Sequence, residues 1–151
     1  MYVASYVVDD KIVTGNHGFG DGWMDDVVEI CFDGDLKDIS KPTLDINDGQ
    51  ITVVAENGAL SYLAGRIPGL VAQIPYYWEA RGVRAGYSPT TDGYIAEMMI
   101  PLDTLGLSSA KGTQIGFNIR ILDDDSDGPA MVQGIMSWAD DPENTAPWTT
   151  E

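Results

Sequence analysis

Alternation of hydrophobic and polar residues predicts that the segment VVEICFD, residues 27–33, is a β-strand, because successive strand side chains point to opposite faces. One face is entirely apolar and consists of Val28, Ile30 and Phe32. The opposite face carries a carboxylate at its centre and consists of Val27, Glu29 and Cys31. We therefore expect the first face to pack in a core and the second to be exposed and available for function.

Several other segments have the β-branched and aromatic content of short strands and end at Gly, Asp, Asn or Pro. With the first strand included, they are YVASYVVD, DVVEICFD, TLDIN, QITVVA, GVRAGYS, YIAEMMIP, QIGFNIRILD and MVQGIMSWA. The Asp-Gly dipeptides in NDGQ (residues 47–50) and TTDGY (residues 90–94) predict tight hairpins. Together these patterns predict an all-β fold, an antiparallel β-sandwich of the jelly-roll or immunoglobulin type.

Two segments do not follow the strand pattern. PLDTLGLSSAKG, residues 101–112, begins with Pro and ends with Gly around a Leu pattern, which predicts one or two turns of helix. GALSYLAGRIPGLVAQIPYYWEA, residues 58–80, is apolar but interrupted by Gly and Pro. We expect this second segment to form a long loop with short irregular pieces.

Length and charge restrict the class of protein. The 151 residues fit a single domain, residues 1–151, and 8 Lys and Arg against 24 Asp and Glu give a net charge of −16. This charge repels phosphate backbones and anionic lipids, so nucleic acid and membrane surfaces are not expected as partners. It favours cations or neutral ligands. The sequence shows neither a signal peptide nor an apolar run near the roughly 20 residues of a membrane helix.

The single cysteine and the single histidine carry little predicted chemistry. Cys31 cannot form an intrachain disulfide, and its place on a strand predicts a small buried side chain rather than a reactive thiol. His17 lies in the Gly-containing segment GNHGFG without a second His or Cys nearby in the sequence. It is therefore predicted to be a flexible loop residue rather than a metal ligand or a catalyst.

The segment DDDSDG, after the seventh predicted strand, indicates a cation site. Asp123, Asp125 and Asp127 alternate and are followed by Gly128, as at the start of a calcium-binding loop. The site is not an EF-hand, because the twelfth position, where a bidentate Glu is needed, is Gly134. We expect structural calcium on these three aspartates, with a solvated acidic hairpin loop as the alternative.

Two tryptophans near the end of the sequence have different surroundings. Trp138 falls within a predicted strand and is expected in the core. Trp148 stands between Pro147 and Thr149 in a polar stretch, which makes it harder to bury. An exposed indole ring can stack on the apolar face of a sugar, although a lid packed over the end of the sandwich is the competing interpretation.

The chain resembles family 9 carbohydrate-binding modules and their sugar-binding relatives in secreted bacterial enzymes. The resemblance lies in five motifs that occur in the family's order across nearly the whole chain. They are MYVASYVVDD, GWMDDVVEICFDGD, GYIAEMMIPLDTLGL, GTQIGFNIRILDDDSDG and GIMSWADDPENTAPWTTE. The match lacks flanking strands at both ends, so the resemblance implies either a shortened module or flanking strands in sequence outside these 151 residues. The expected setting is a larger secreted bacterial protein that has further domains.

The resemblance also implies a function and a site. Members of the family are β-sandwiches that bind structural metal ions and clamp a terminal sugar unit between two tryptophans, which correspond here to Trp23 and Trp148. Glu29 would accept hydrogen bonds from sugar hydroxyls, and Asp45 stands where sugar-clamping members have a basic residue. The expected ligand is an oligosaccharide or polysaccharide chain end, with xylan and cellulose as candidate polymers, and the module itself would be non-catalytic.

Two other classes of function remain open at the level of the sequence. A glycoside hydrolase needs two carboxylates flanking the scissile bond, and Glu29 could pair with Asp45 or Glu97. A calcium-stabilised structural or adhesive module would need no sugar pocket.

Overall fold

The computed structural model describes residues 1–17, 21–34, 36, 48–65, 77–107, 112–126 and 134–138. In these ranges the strands are β1 (Tyr2–Val8), β2 (Val27–Asp33), β3 (Asp48–Glu56), β4 (Ala59–Ala64), β5 (Arg84–Pro89), β6 (Gly93–Met99), β7 (Gly116–Asp123) and β8 (Gly134–Ser137). The helical elements are one short α-helix, α1 (Tyr77–Ala80), and two 3₁₀ helices, η1 (Gly22–Met24) and η2 (Asp103–Leu105). None of these helices is long and apolar enough to cross a membrane.

The strands form two antiparallel sheets that pack face to face. The small sheet has the order β1-β6-β5, and the large sheet has the order β4-β3-β2-β7-β8. Ile30 and Ile51 of the large sheet share one buried core with Ala96 and Met98 of the small sheet. The predicted all-β sandwich is confirmed. We call the face of the large sheet that points away from the small sheet the outer face.

Strand β2 lies at the centre of the large sheet, between β3 and β7. Its predicted core residues, Val28, Ile30 and Phe32, all belong to the core between the sheets. The opposite side of β2 differs from the prediction, because Glu29 and Cys31 are each only 1% exposed. The strand and its alternation are therefore confirmed, whereas the expected exposure of its second face is wrong.

The NDGQ segment does not form the predicted tight hairpin. Asp48 and Gly49 lie within β3 and pair with Asp33 and Phe32 of β2. Gly49 is required here by packing, because a Cβ atom on it would lie 2.3 Å from the Phe32 ring and 2.7 Å from the Trp78 ring. The predicted strand TLDIN, residues 43–47, falls outside the described residues.

The segment predicted as a long loop contains both β4 and α1. Strand β4 follows β3 through Asn57 and Gly58, whose φ angles are 52° and 76°. Two successive positive φ angles are characteristic of the tight turn that Asn-Gly favours between antiparallel strands. The prediction missed this hairpin because it weighted the later Gly and Pro residues over this dipeptide.

The hairpin predicted at TTDGY is confirmed, since it joins β5 to β6 and the Thr90 N–H donates to the Gly93 carbonyl oxygen at 2.8 Å. The predicted helix at PLDTLG is present as the short helix η2. It ends at Gly106, which has a left-handed φ of 66° and whose N–H donates to the Asp103 carbonyl oxygen at 3.1 Å.

Candidate functional site

Helix η1, which contains Trp23, packs against the outer face of the large sheet through Gly22. Gly22 is buried, and its backbone packs so closely on this face that a Cβ atom would lie 2.5 Å from Val54 Cγ1 and 2.7 Å from Tyr62 Oη. Val54 and Tyr62 belong to a small apolar cluster separate from the main core. Trp23, the next residue, is half-buried. Its backbone is therefore held on the side of the large sheet that carries Glu29.

Asp26 fixes the chain directly after η1. Its carboxylate accepts hydrogen bonds from the N–H of Val13 and, at 2.7 Å, from the N–H of Asp124. Its own N–H donates to the Val13 carbonyl oxygen at 3.0 Å. Burial raises the pKa of Asp26 to about 7, and the two backbone donors act in the opposite direction. One buried carboxyl thus joins the loop after β1, the start of β2 and the end of β7.

Glu29 is buried in an ion pair and does not lie on an exposed strand face as predicted. Its Oε1 accepts a hydrogen bond from Arg120 Nη1 at 3.0 Å, and its Oε2 accepts one from Thr52 Oγ1 at 3.2 Å. The register of the strands brings these residues together. A carboxylate is tolerated here because a guanidinium and a hydroxyl on the neighbouring strands satisfy it.

The ion pair is part of a polar row that crosses four strands of the outer face. In register from β3 to β8, the row consists of Thr52, Glu29, Arg120 and Ser137. Ser137 also accepts a hydrogen bond from Asn118 Nδ2 at 2.9 Å. Two residues along a strand correspond to about 7 Å, so the row lies one pleat from Val54, on which η1 packs. The outer face therefore carries both the helix that contains Trp23 and a line of hydrogen-bonding groups.

Cys31 follows Glu29 on the same face and is a buried free thiol, as predicted. Burial raises its pKa, and the negative charge of Glu29 raises it further. The Sγ atom lies 3.8 Å from Glu29 Oε1.

Sequence reasoning did not identify Arg120 or Asn118. A signal was present, because these two polar residues alternate with Phe117, Ile119 and Ile121 in the segment FNIRI. This alternation predicts one polar and one apolar face, as it does for β2. The partner of Glu29 could not be read from it, because the pairing depends on the register between two distant strands.

The predicted calcium-binding aspartates lie beside acidic residues from the end of β1. One carboxylate oxygen each of Asp9, Asp26 and Asp123 lies within 4.8 Å of the others, and the same holds for Asp9, Asp10 and Asp125. Burial raises the pKa of Asp123, and the charges of Asp9 and Asp125 raise it further. We call these five residues the acidic end. Oxygen donors of this kind suit a hard divalent cation.

Asp127 falls outside the described residues, so its predicted place in this site stays a prediction. Asp9 and Asp10 were not predicted as ligands. Their signal was the Asp-Asp pair at the end of the first predicted strand. Only the packing of the two sheets brings this pair to the end of β7.

His17 is an anchored residue and not the flexible loop residue that was predicted. Its Nδ1 lies 2.6 Å from Asp25 Oδ1, and its side chain is 8% exposed. Asp25 Oδ2 also accepts a hydrogen bond from the Gly15 N–H at 2.8 Å. The prediction for His17 considered only His and Cys as partners of its imidazole ring, whereas the partner is the Asp25 carboxylate, eight residues away.

The remaining tryptophans give a mixed result. Trp138 is 73% exposed and packs edge-to-face on Phe117 with ring centroids 5.7 Å apart, so its predicted place in the core is wrong. Trp148 and Asp45 lie outside the described residues, and their roles stay predictions. Two open clefts of about 440 and 460 Å³ occur near the β1–β6–β5 surface and the acidic end, and neither is lined by Trp23 or Glu29.

One catalytic arrangement considered from the sequence is excluded by the fold. Glu29 points to the outer face of the large sheet, whereas Glu97 is exposed on the small sheet, where its neighbours Ala96 and Met98 point into the core. The core of the sandwich separates the two carboxylates. They cannot flank one glycosidic bond, as hydrolysis requires.

Comparison with known proteins identifies a family. A family model described as carbohydrate family 9 binding domain-like matches residues 1–150, which is essentially the whole chain. A search of curated proteins found no match.

Proposed function

The chain belongs to the carbohydrate family 9 binding domain-like family, and we propose that it is a non-catalytic module that holds the end of an oligosaccharide or polysaccharide between Trp23 and Trp148. The observation that supports this most directly is the packing of helix η1, which contains Trp23. The neighbour of Trp23, Gly22, packs on Val54 and Tyr62, on the same sheet face as the polar row. An indole ring held beside these hydrogen-bonding groups would suit a sugar ring, which has an apolar face and a rim of hydroxyls.

The polar row supplies the second half of the proposed site. Within the described residues, Glu29 Oε1 accepts hydrogen bonds from Arg120 and the Cys31 thiol, and Oε2 accepts one from Thr52. An ionised carboxylate has about four lone-pair positions, and these partners use three of them. Because Glu29 is only 1% exposed, its part in this proposal is to hold the polar row in place. In this proposal Glu29 and Arg120 form the floor of the site and Asp45 contributes a further polar contact. The stacked rings supply most of the affinity.

The acidic end has a separate role in the proposal. We infer that it binds calcium through Asp123, Asp125 and Asp127, together with Asp9 from the end of β1. A bound cation would remove the repulsion among carboxylates that raises the pKa of Asp123. This calcium stabilises the fold and takes no part in sugar binding. The module would work as part of a secreted bacterial enzyme that degrades polysaccharides such as xylan or cellulose.

The test is calorimetric titration of Trp23→Ala with the sugars that a glycan array selects for the wild-type protein. Stacking contributes a few kcal/mol at most, which is enough to abolish weak sugar binding, so we expect no measurable heat from this variant. Trp138→Ala is the matched control, because it removes an exposed indole ring elsewhere on the large sheet. It should bind like the wild type.

The outcomes separate the three classes of function. Binding without turnover supports the module, and release of reducing sugar would establish an enzyme instead. Absence of binding to every glycan would favour a structural or adhesive module. Equal affinities of Trp23→Ala and the wild type would remove Trp23 from the site even if sugar binding itself is found.

A further inference from the structure

Three segments of the fold bring His17, Asp25 and Asp124 together next to helix η1. His17 comes from the loop after β1, Asp25 directly follows η1, and Asp124 follows the last residue of β7. One potential ligand atom of each residue lies within 4.8 Å of the others. Atoms at this spacing can converge on one ion at bond lengths of about 2.0–2.4 Å.

Alternation at the end of β7 explains why Asp124 joins this group. Asp123 and Asp125 approach the carboxylates from the end of β1, whereas Asp124 groups with His17 and Asp25. Successive residues of an extended chain point to opposite sides. Of the three consecutive aspartates, Asp123 and Asp125 therefore belong to the acidic end, whereas Asp124 belongs to the group with His17.

Both Asp124 and His17 retain a buried polar atom that has no hydrogen-bond partner in the described part of the chain. These atoms are Asp124 Oδ2 and His17 Nε2. Asp124 is 0% exposed, and its other oxygen is held by the Ser126 N–H at 2.9 Å and the Ser126 hydroxyl at 2.6 Å. Burying such groups without a partner is unfavourable, so these two unpaired atoms indicate that a ligand binds at this group of residues.

We propose that His17, Asp25 and Asp124 bind one divalent transition-metal ion, of which Zn²⁺ is the representative, at a site distinct from the acidic end. An imidazole nitrogen with two carboxylate oxygens is a donor set that suits zinc and its neighbours, whereas calcium takes oxygen ligands. The contact between His17 Nδ1 and Asp25 Oδ1 fixes the imidazole ring, as hydrogen bonds to metal-bound histidines commonly do. The ion would connect three segments, namely the loop after β1, the residue after η1 and the residue after β7, close to Trp23 in the sequence.

The wild-type protein itself provides the first test. His17 is the single histidine of the chain, so its imidazole proton signals in an NMR spectrum need no assignment by mutation. The protein is stripped with EDTA and returned to excess calcium, which occupies the acidic end, and one equivalent of Zn²⁺ is then added. The proposal expects new imidazole signals at full occupancy and a higher melting temperature. Unchanged imidazole signals would overturn it.

Variants separate this site from other zinc binding. His17→Gln should weaken zinc affinity by at least about tenfold, and Asp124→Asn should do the same. Glu97→Gln, which removes an exposed carboxylate from the small sheet, is the control and should bind zinc as the wild type does. If His17→Gln retains the zinc-induced rise in melting temperature, the ion binds elsewhere and the proposal is wrong. Should Asp124→Asn fail to fold, the NMR titration and His17→Gln still decide the question.

Discussion

The polar row and the acidic end both contain carboxylates removed from water, but the protein neutralises them differently. On the outer face, Glu29 is 1% exposed and forms an ion pair with Arg120. At the acidic end, Asp26 is equally buried and accepts hydrogen bonds from backbone N–H groups. Burial raises the pKa of Asp26 to about 7, whereas the charge of Glu29 is compensated by a side chain. The first region should therefore be stable without added ions, and the second should depend on cations.

The largest effect is expected from breaking the ion pair. Arg120→Met leaves a buried carboxylate without its charged partner, and removal of one member of such a pair costs about 3–5 kcal/mol. Urea unfolding followed by fluorescence measures the loss. Arg84→Met is the control, because Arg84 lies on an exposed position of β5 and donates to backbone carbonyls. A loss no larger than in this control would mean that the pair is not required.

The double variant Glu29→Gln with Arg120→Met sharpens the same point. It removes both charges, so the buried site no longer contains an uncompensated ion. We expect it to be more stable than Arg120→Met alone. A double variant that is less stable would show that packing, rather than charge, dominates at this position.

The second effect concerns cations at the acidic end. Removing calcium with EDTA should lower the melting temperature, and excess calcium should restore it. A ligand bound only by the folded state contributes about 2.7 kcal/mol when its concentration is a hundred times its dissociation constant. Sodium chloride at equal ionic strength is the control for screening. An unchanged melting curve in metal-free protein would mean that these aspartates are only a solvated acidic surface.

A smaller effect is expected from Asp123→Asn, and its sign should depend on calcium. Burial raises the pKa of Asp123, and the charges of Asp9 and Asp125 raise it further, so the charged form is disfavoured in the folded protein. Without calcium, removal of this charge should raise stability, whereas with calcium it should lower stability because a ligand is lost. Parallel melting curves in EDTA and in calcium measure both signs. The same sign in both conditions would contradict a cation site that includes Asp123.

The smallest effect concerns Cys31, which should react slowly and without any change in stability. Its pKa is raised by burial and by Glu29, so little thiolate forms even near pH 8.5, where an exposed cysteine is half ionised. Reaction with a thiol reagent should be much slower in the native protein than in urea. Arg120→Met should accelerate it by loosening the outer face. Equal rates in native and unfolded protein would show that this face is open to solvent.

Much of the fold could be predicted from the sequence because strands have a period of two residues. Val28, Ile30 and Phe32 fill the core as their alternation indicates. Gly49 misled the prediction, because the same dipeptide that favours a turn also meets the demand for space beneath the Phe32 ring. Local patterns cannot distinguish these two uses of glycine.

The candidate site was less predictable because its contacts join distant parts of the chain. Glu29 was identified as unusual, but its partner Arg120 lies 91 residues away. His17 was dismissed because the prediction sought a second His or Cys, whereas its partner is Asp25. The resemblance to family 9 modules pointed to Trp23, and the structure adds the anchoring of its helix on Val54.

The polar row also bears on how the strands find their correct alignment. A slip of one residue between β2 and β7 would turn Arg120 into the apolar layer between the sheets and would separate it from Glu29. An unpaired charge in that layer is far more unfavourable than the loss of one apolar contact. The shifted register is unfavourable for two reasons, because it buries the Arg120 charge and because it leaves Glu29 without its partner. The polar row therefore favours the native register of β2 and β7 over a shifted register while the large sheet assembles.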